Sequence, residues 1–254
     1  MNDEIKMYEK QGNWDFSDIN YTKEYENYWV MYDEVKKYSN ENSLILDLGT
    51  AGGEKVFSQM PQNIGMIIGT DLSPKMIETA IENSKKYPDV KVRFTVMDNL
   101  KLEFPDKLFD IVTARHTVIN AKEIYRVLND SGVLIVRGVD KYDSWDIKEL
   151  FGRGQAFNDE MAISEKDYDD IKKAGFKEVE MIKINANEYF ETKEDLLKLL
   201  LKTPILDEFS EIRKCKNIHR EGIEKDLFDA YVKNNTTPKG ILLKRRYYGI
   251  VAKK

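Results

Sequence analysis

Leu44 to Lys55 reads LILDLGTAGGEK, and this stretch decides the fold. Leu44–Gly49 is a short, nearly all-apolar run broken at Thr50-Ala51-Gly52-Gly53. Such a run is a buried strand, and the glycines allow the backbone to turn tightly and to approach a ligand with no Cβ in the way. A helix starting beyond the turn presents unpaired N–H groups at its first residues. Asp47 stands just before the turn, and a second apolar run, MIIGTD (Met66–Asp71), ends on another acid.

Moving outward, Ser73-Pro74-Lys75 places a cap and a first-turn proline at the start of a helix running to about Lys86. Val92–Met97 and Phe109–Ala114 read as two further strands, Ala121–Leu128 as a helix, and Val133–Val139 as a fifth strand. The strands are continuous apolar runs, which indicates a parallel sheet covered on both faces. Ahead of this block, 22–39 has Tyr25, Trp29, Tyr32 and Val35 at helical spacing and is expected to be one helix. Beyond it, Tyr142–Ile163 reads as irregular, Ser164–Ala174 as a helix, Val179–Ile184 as a strand, Asp195–Leu201 and about Asp207–Lys233 as helices, and ILLKRRYYGIVAKK as the last strand.

The first class of ligand for such a turn is a dinucleotide, which wants glycine at the first, third and sixth turn positions. Those positions hold Gly49, Ala51 and Glu54, and Glu54 sets a negative charge beside any pyrophosphate. Asp47 suits a cationic ligand instead. S-adenosylmethionine carries an ammonium and a sulfonium and no phosphate.

The ordered motifs resemble those of the class I S-adenosylmethionine-dependent methyltransferases of the small-molecule type. LDLGTAGGE is similar to their first motif, with Ala51 where glycine is usual, and IIGTDLSPKMI (Ile67–Ile77) to the second. VRFTVMDN (Val92–Asn99) is similar to the third, and LFDIVTARH followed by EIYRVLNDSGVLIV (Glu123–Val136) to the fourth and fifth. The resemblance covers about residues 40–140. It implies a doubly wound α/β sheet of seven strands with the last antiparallel, in a Rossmann-like methyltransferase fold with helical caps. Residues 1–41 would be an N-terminal cap, 42–190 and 236–254 the cofactor-binding domain, and 191–235 a helical insertion between strands six and seven. The expected acceptor pocket lies between the caps and the strand tips.

Carried over residue by residue, the resemblance implies that Asp47, Gly49, Ala51 and Gly53 line the methionine moiety. Asp71 would hold the ribose, Leu72 and Met76 the adenine face, and Asp98, with Asn99 beside it, the adenine amino group. Ala114 and Arg115 would lie near the transferable methyl. Asp47, Asp71 and Asp98 each also fit a turn or cap acid. His116 follows the fourth strand, where this fold class places chemistry. It is either a base for the nucleophile or a hydrogen-bonded histidine orienting the loop. Arg115 is a carboxylate binder or a surface cation.

The remaining features are set against simpler readings. Arg153 between glycines either presents a cation or marks a turn. Trp14, Tyr21, Tyr25 and Trp29 fit a core as well as a cap over the cofactor. Lys239, Lys244, Arg245, Arg246, Lys253 and Lys254 are a solvated strand face or an RNA-contacting one. His219 and Cys215 read as surface or packing.

Composition removes several classes. Of 254 residues 33% are charged and 41% hydrophobic, and the net charge is −5. No apolar run reaches the ~18–20 residues a membrane span needs, and MNDEIKMYEK has no apolar core of a secretory signal. One cysteine and two histidines are too few for a usual zinc cluster, and a lone cysteine fits a cytoplasmic setting. The expected function is methyl transfer from S-adenosyl-L-methionine to a small molecule, with no resident metal and no membrane partner. The alternatives are an RNA (rRNA) methyltransferase, since Phe190–Pro204 is similar to a stretch seen in methyltransferases of both kinds, and a non-catalytic cofactor-binding protein. An NAD-dependent oxidoreductase ranks last.

Overall fold

The computed structural model describes residues 16–61, 63–207, 218 and 222–254. In chain order the elements are β1 (Tyr21–Tyr25), α1 (Met31–Tyr38), β2 (Leu44–Leu48), α2 (Glu54–Gln59), β3 (Met66–Asp71), α3 (Pro74–Ser84), β4 (Val92–Val96), β5 (Phe109–Arg115), α4 (Ala121–Val127), β6 (Leu128–Val139), α5 (Trp145–Phe151), α6 (Ile163–Ala174), β7 (Glu178–Phe190), α7 (Lys193–Lys202), α8 (Ile223–Asn235), β8 (Thr236–Thr237) and β9 (Gly240–Lys253). The chain divides into two compact units, and each is described by itself.

One unit is built from Trp29–Gly138, Ser164–Ile182 and Tyr248–Lys254. Its centre is parallel: β2 pairs with β3 and with β5, β3 with β4, and β5 with β6. Register sets Asp47 opposite Gly69 on one side and Thr113 on the other. Met31, Tyr32 and Val35 of α1 join Ile45, Val56, Ile67, Ile111, Val133 and Ile135 in one apolar core. Each such side chain, once buried, contributes roughly 1.5–3 kcal/mol relative to exposure. Pro74 opens α3 and the Ser73 hydroxyl accepts the Met76 N–H, as the sequence predicts.

The other unit holds the residues through Tyr28, Val139–Ile163 and Lys183–Tyr247. Leu196, Leu199 and Leu200 of α7 pack with Phe228 and Tyr231 of α8 and with Ile147 and Phe190. Thr192 caps α7 by accepting the Asp195 N–H. A buried ionic group ties three elements: Arg245 donates to Asp143 at 2.9 Å and to Glu188 at 2.7 Å, and Lys23 donates to Glu188 at 2.8 Å.

Two expectations are corrected. The stretch 22–39 is not one helix: β1 pairs antiparallel with β7, Tyr21 opposite Phe190, and the helix begins only at Met31. Tyr and Thr in YTKEY favour a pleated edge, and the Tyr21 ring stacks on Phe190 at 5.3 Å. The sheet holds nine strands among the described residues, not seven, in the order β1-β7-β9-β6-β5-β2-β3-β4 with β8 on β9. The additions are β1 and the two-residue β8. The last long strand is antiparallel as expected: Lys254 N–H donates to Gly132 while Asp140 N–H donates to Arg246. Of the expected features, Trp14, Cys215 and His219 lie outside the described residues, as does most of 207–222.

Candidate active site

The turn after β2 is built by three left-handed residues: Gly49 at φ +66°, Ala51 at +50° and Gly53 at +76°. At Gly49 a Cβ would stand 2.7 Å from Thr117 Cβ and Oγ1, so the turn after β2 lies directly against the turn after β5. At Gly53 it would meet Phe57 at 2.8 Å. Ala51 takes the same conformation with a side chain present, which costs roughly 1–2 kcal/mol. Asp71 holds it there: one carboxylate oxygen accepts the Ala51 N–H at 2.9 Å and the other accepts the Ser73 N–H at 2.9 Å. Burial raises the Asp71 pKa, against the lowering effect of these backbone donors. Asp71 therefore binds the turn to the start of α3, and its half-buried carboxylate keeps lone pairs for a further donor.

Asp47 is buried and accepts the Thr113 hydroxyl at 2.7 Å. Burial also pushes its carboxyl pKa up, opposed by the hydrogen bond from Thr113 and by the Arg115 charge. The loop after β4 separates its two candidates. Asp98 is exposed and accepts the Leu100 N–H, whereas Asn99 is buried, accepting from the Thr70 hydroxyl and donating to Thr117 Oγ1 at 3.0 Å. Asn99 thus ties the end of β3 to the turn after β5. Leu72 is exposed at 39%, but Met76 is 1% exposed and faces the core.

Ala114 is fully buried between Leu48 and Val136 at the end of β5. Arg115 follows, opposite Arg137 of β6. His116 is exposed at φ +54°, its N–H donating to the Arg137 carbonyl at 2.7 Å. Its Nε2 lies 3.1 Å from the Arg137 guanidinium. A guanidinium has no acceptor, so this contact uses the Nε2 lone pair and places the imidazole proton on Nδ1. Sequence reading did not single out Thr117, Thr113, Lys55 or Arg137. Only Arg137, a charge at the end of an apolar strand, left a signal.

The turn suits a cofactor without phosphate. A Cβ on Gly52 would meet the Glu54 carboxylate at 2.5 Å, so that side chain lies over the start of α2, where a diphosphate would sit. Toward β3 and β4 the residues offer what a nucleoside uses: the Asp71 and Asp98 carboxylates and the exposed side chains Leu72 and Leu100.

The parallel centre, its crossover helices and an acid-flanked glycine turn make a Rossmann-like α/β fold. The YcgJ protein from Bacillus subtilis has a similar structure, with a TM-score of 0.60 at 18% identity over 88% of this chain and 97% of that one. Residues 46–136 match the family described as a methyltransferase domain. Two relatives are the ribosomal protein L11 methyltransferase of Dictyoglomus thermophilum, 34% identical over 110 residues (41% of this chain, 35% of that protein), and the demethylmenaquinone methyltransferase of Thermus thermophilus, 34% identical over 100 residues (36% and 45%). This chain spans less than half the length of either.

Proposed function

We propose that the protein transfers a methyl group from S-adenosylmethionine to a small molecule. The observation that carries this is the Asp71 carboxylate, which fixes the glycine turn from beneath while remaining half-exposed beside it. Supporting it are the family match at residues 46–136 and a quinone-methylating relative. When bound, the cofactor supplies an electrophilic methyl on sulfur. The chain then has to align and to exclude water more than to activate. Asp71 would take the ribose hydroxyls, Asp98 the adenine amino group, and Asp47 with the turn 49–53 the cationic amino-acid tail. Ala114, fully buried at the end of β5, would lie behind the methyl and not against it. His116 acts as a positioning residue for Arg137, because its Nε2 is already engaged. The acceptor would then lose its proton to solvent or arrive without one.

No observation favours RNA as the acceptor. In the basic C-terminal stretch Arg245 is buried against Asp143 and Glu188, Lys239 pairs with Glu24, Lys244 with Asp146 and Lys253 with Glu178. Among the described residues no helix is long and apolar enough to cross a membrane.

Calorimetry with S-adenosylhomocysteine tests the reading. The wild type binds it, Asp71→Ala does not, and His116→Ala binds it normally but turns over more slowly. His116→Asn, which can still accept from Arg137, restores part of the rate without moving the pH profile. Normal affinity in Asp71→Ala contradicts the site assignment. Cofactor binding with no methyl transfer to any extract fraction would establish the non-catalytic alternative.

A further inference from the structure

Tyr32 is only 7% exposed, yet among the described residues its hydroxyl has no hydrogen-bond partner. It stands in the first turn of α1, in the apolar core shared with Ile45, Ile67, Ile111, Val133 and Ile135. Those five lie on one face of the sheet: Ile45 pairs with Ile67 and Ile111, Ile111 pairs with Val133, and Ile135 follows two residues on. Side chains two apart on a strand share a face, so Asp47, Thr113 and Arg115 line that same face. Register sets Asp47, Thr113 and Ile135 in one row across β2, β5 and β6. Chain direction brings Tyr32 to the strand tips. Residues 39–43 alone join α1 to the start of β2, so the helix runs back along that strand. An eight-residue helix is about 12 Å long and a five-residue strand about 16 Å, which carries the first turn of α1 toward the Asp47 end of β2. In agreement, the charges that act on the Tyr32 phenol are those of Asp47, Arg115 and Arg137. Burial first, and then the Asp47 charge, raises its pKa well above the ordinary tyrosine range. The phenol therefore keeps its proton and stands ready as a donor.

A buried hydroxyl with nothing to bond is unfavourable, and a ligand that supplies an acceptor recovers the loss. On the methyltransferase reading, on which this inference rests, the cofactor's amino-acid tail lies over β2 with its ammonium at Asp47. The other charge of that tail is a carboxylate, which only accepts hydrogen bonds. We propose that the Tyr32 hydroxyl donates a hydrogen bond to this carboxylate, so that α1 belongs to the cofactor site and selects ligands that carry the intact amino-acid tail. An acid, a guanidinium and a neutral donor on one face suit both ends of a zwitterion. The nucleoside, held on the same reading by Asp71 and Asp98, is out of the phenol's concern. Tyr32 thus separates the cofactor and its spent form from a tailless nucleoside thioether.

The test compares wild type and Tyr32→Phe, which removes one oxygen and keeps the ring. Each is titrated by calorimetry with S-adenosylhomocysteine and with methylthioadenosine, which lacks the amino-acid tail, and each is melted without ligand. Tyr32→Phe weakens S-adenosylhomocysteine about ten-fold or more, the loss of a hydrogen bond to a charged group. Its affinity for methylthioadenosine is unchanged, and the melting temperature of the free variant does not fall, because the hydroxyl gives up no partner inside the protein. Three results overturn the inference. The variant binds S-adenosylhomocysteine as tightly as wild type does. Both ligands weaken equally, so that the hydroxyl does not read the tail. Or the free variant melts lower or fails to fold, so that the hydroxyl serves the fold instead. A wild type that binds neither ligand refutes the proposed function itself, and the role of Tyr32 with it.

Discussion

The Asp71 carboxylate accepts the backbone N–H of Ala51 at 2.9 Å, joining the end of β3 to the turn after β2. A residue expected to serve a ligand is thus also part of the framework that shapes the ligand's turn. Asp71→Ala removes two acceptors at once and leaves the Ala51 and Ser73 N–H groups without their partner. We expect a stability loss of roughly 1–3 kcal/mol in urea titration alongside the lost cofactor affinity. Asp71→Asn keeps one acceptor oxygen, so about half the stability loss is expected. Unchanged stability in Asp71→Ala would contradict the bracing role.

Ala51→Gly relieves a side chain held at φ +50°. The gain of roughly 1–2 kcal/mol from leaving the strained conformation is partly offset by the added freedom of glycine in the unfolded chain, roughly 0.5–1 kcal/mol. The net expectation is a small rise in melting temperature and no loss of cofactor affinity. A fall in melting temperature would show that the Ala51 methyl packs usefully.

Gly138 lies under the Tyr248 ring: a Cβ there would stand 2.1 Å from Cζ and 2.3 Å from the hydroxyl oxygen. That hydroxyl donates to Asp167 at 2.5 Å, so the ring has little room to retreat. Gly138→Ala is expected to destabilise by about 1–3 kcal/mol or more. Adding Tyr248→Ala should recover part of the clash in a double-mutant cycle, and purely additive losses would refute the steric account.

Lys148 is almost wholly buried, donating to the carbonyls of Lys141 and Gln155. Desolvation lowers its ammonium pKa to about 8, against the raising effect of Asp143 and Asp140. Between that value and the ordinary 10.5 the unfolded chain holds the proton while the folded chain sheds it. Stability should therefore rise through this window and be lost again as pH falls through about 8. In Lys148→Met, urea midpoints should lack that component of the pH dependence. Identical slopes in the two proteins would refute it.

The parallel centre was legible because β2, β3 and β5 are continuous apolar runs punctuated by glycine or by a capped helix. β1 was not, because Tyr25, Trp29 and Tyr32 satisfy a helical period and only pairing with β7 reveals the strand. Position along the chain singled out Asp47, Asp71 and Asp98 as candidates, but not what their carboxylates touch. Asp98 and Asn99 read as one pair, yet they face opposite ways because Asn99 has Thr70 and Thr117 to bond. The Arg115–Arg137 juxtaposition was invisible for a different reason: it depends on the register of two parallel strands, which sequence spacing does not encode.

The contact between Gly49 and Thr117 has an evolutionary corollary. With a Cβ at 49 only 2.7 Å from the threonine, these two sites have no independent freedom to mutate. Lineages that enlarge one must first shrink the other, so the pair should covary among descendants of this chain even though neither is expected to touch a reacting atom.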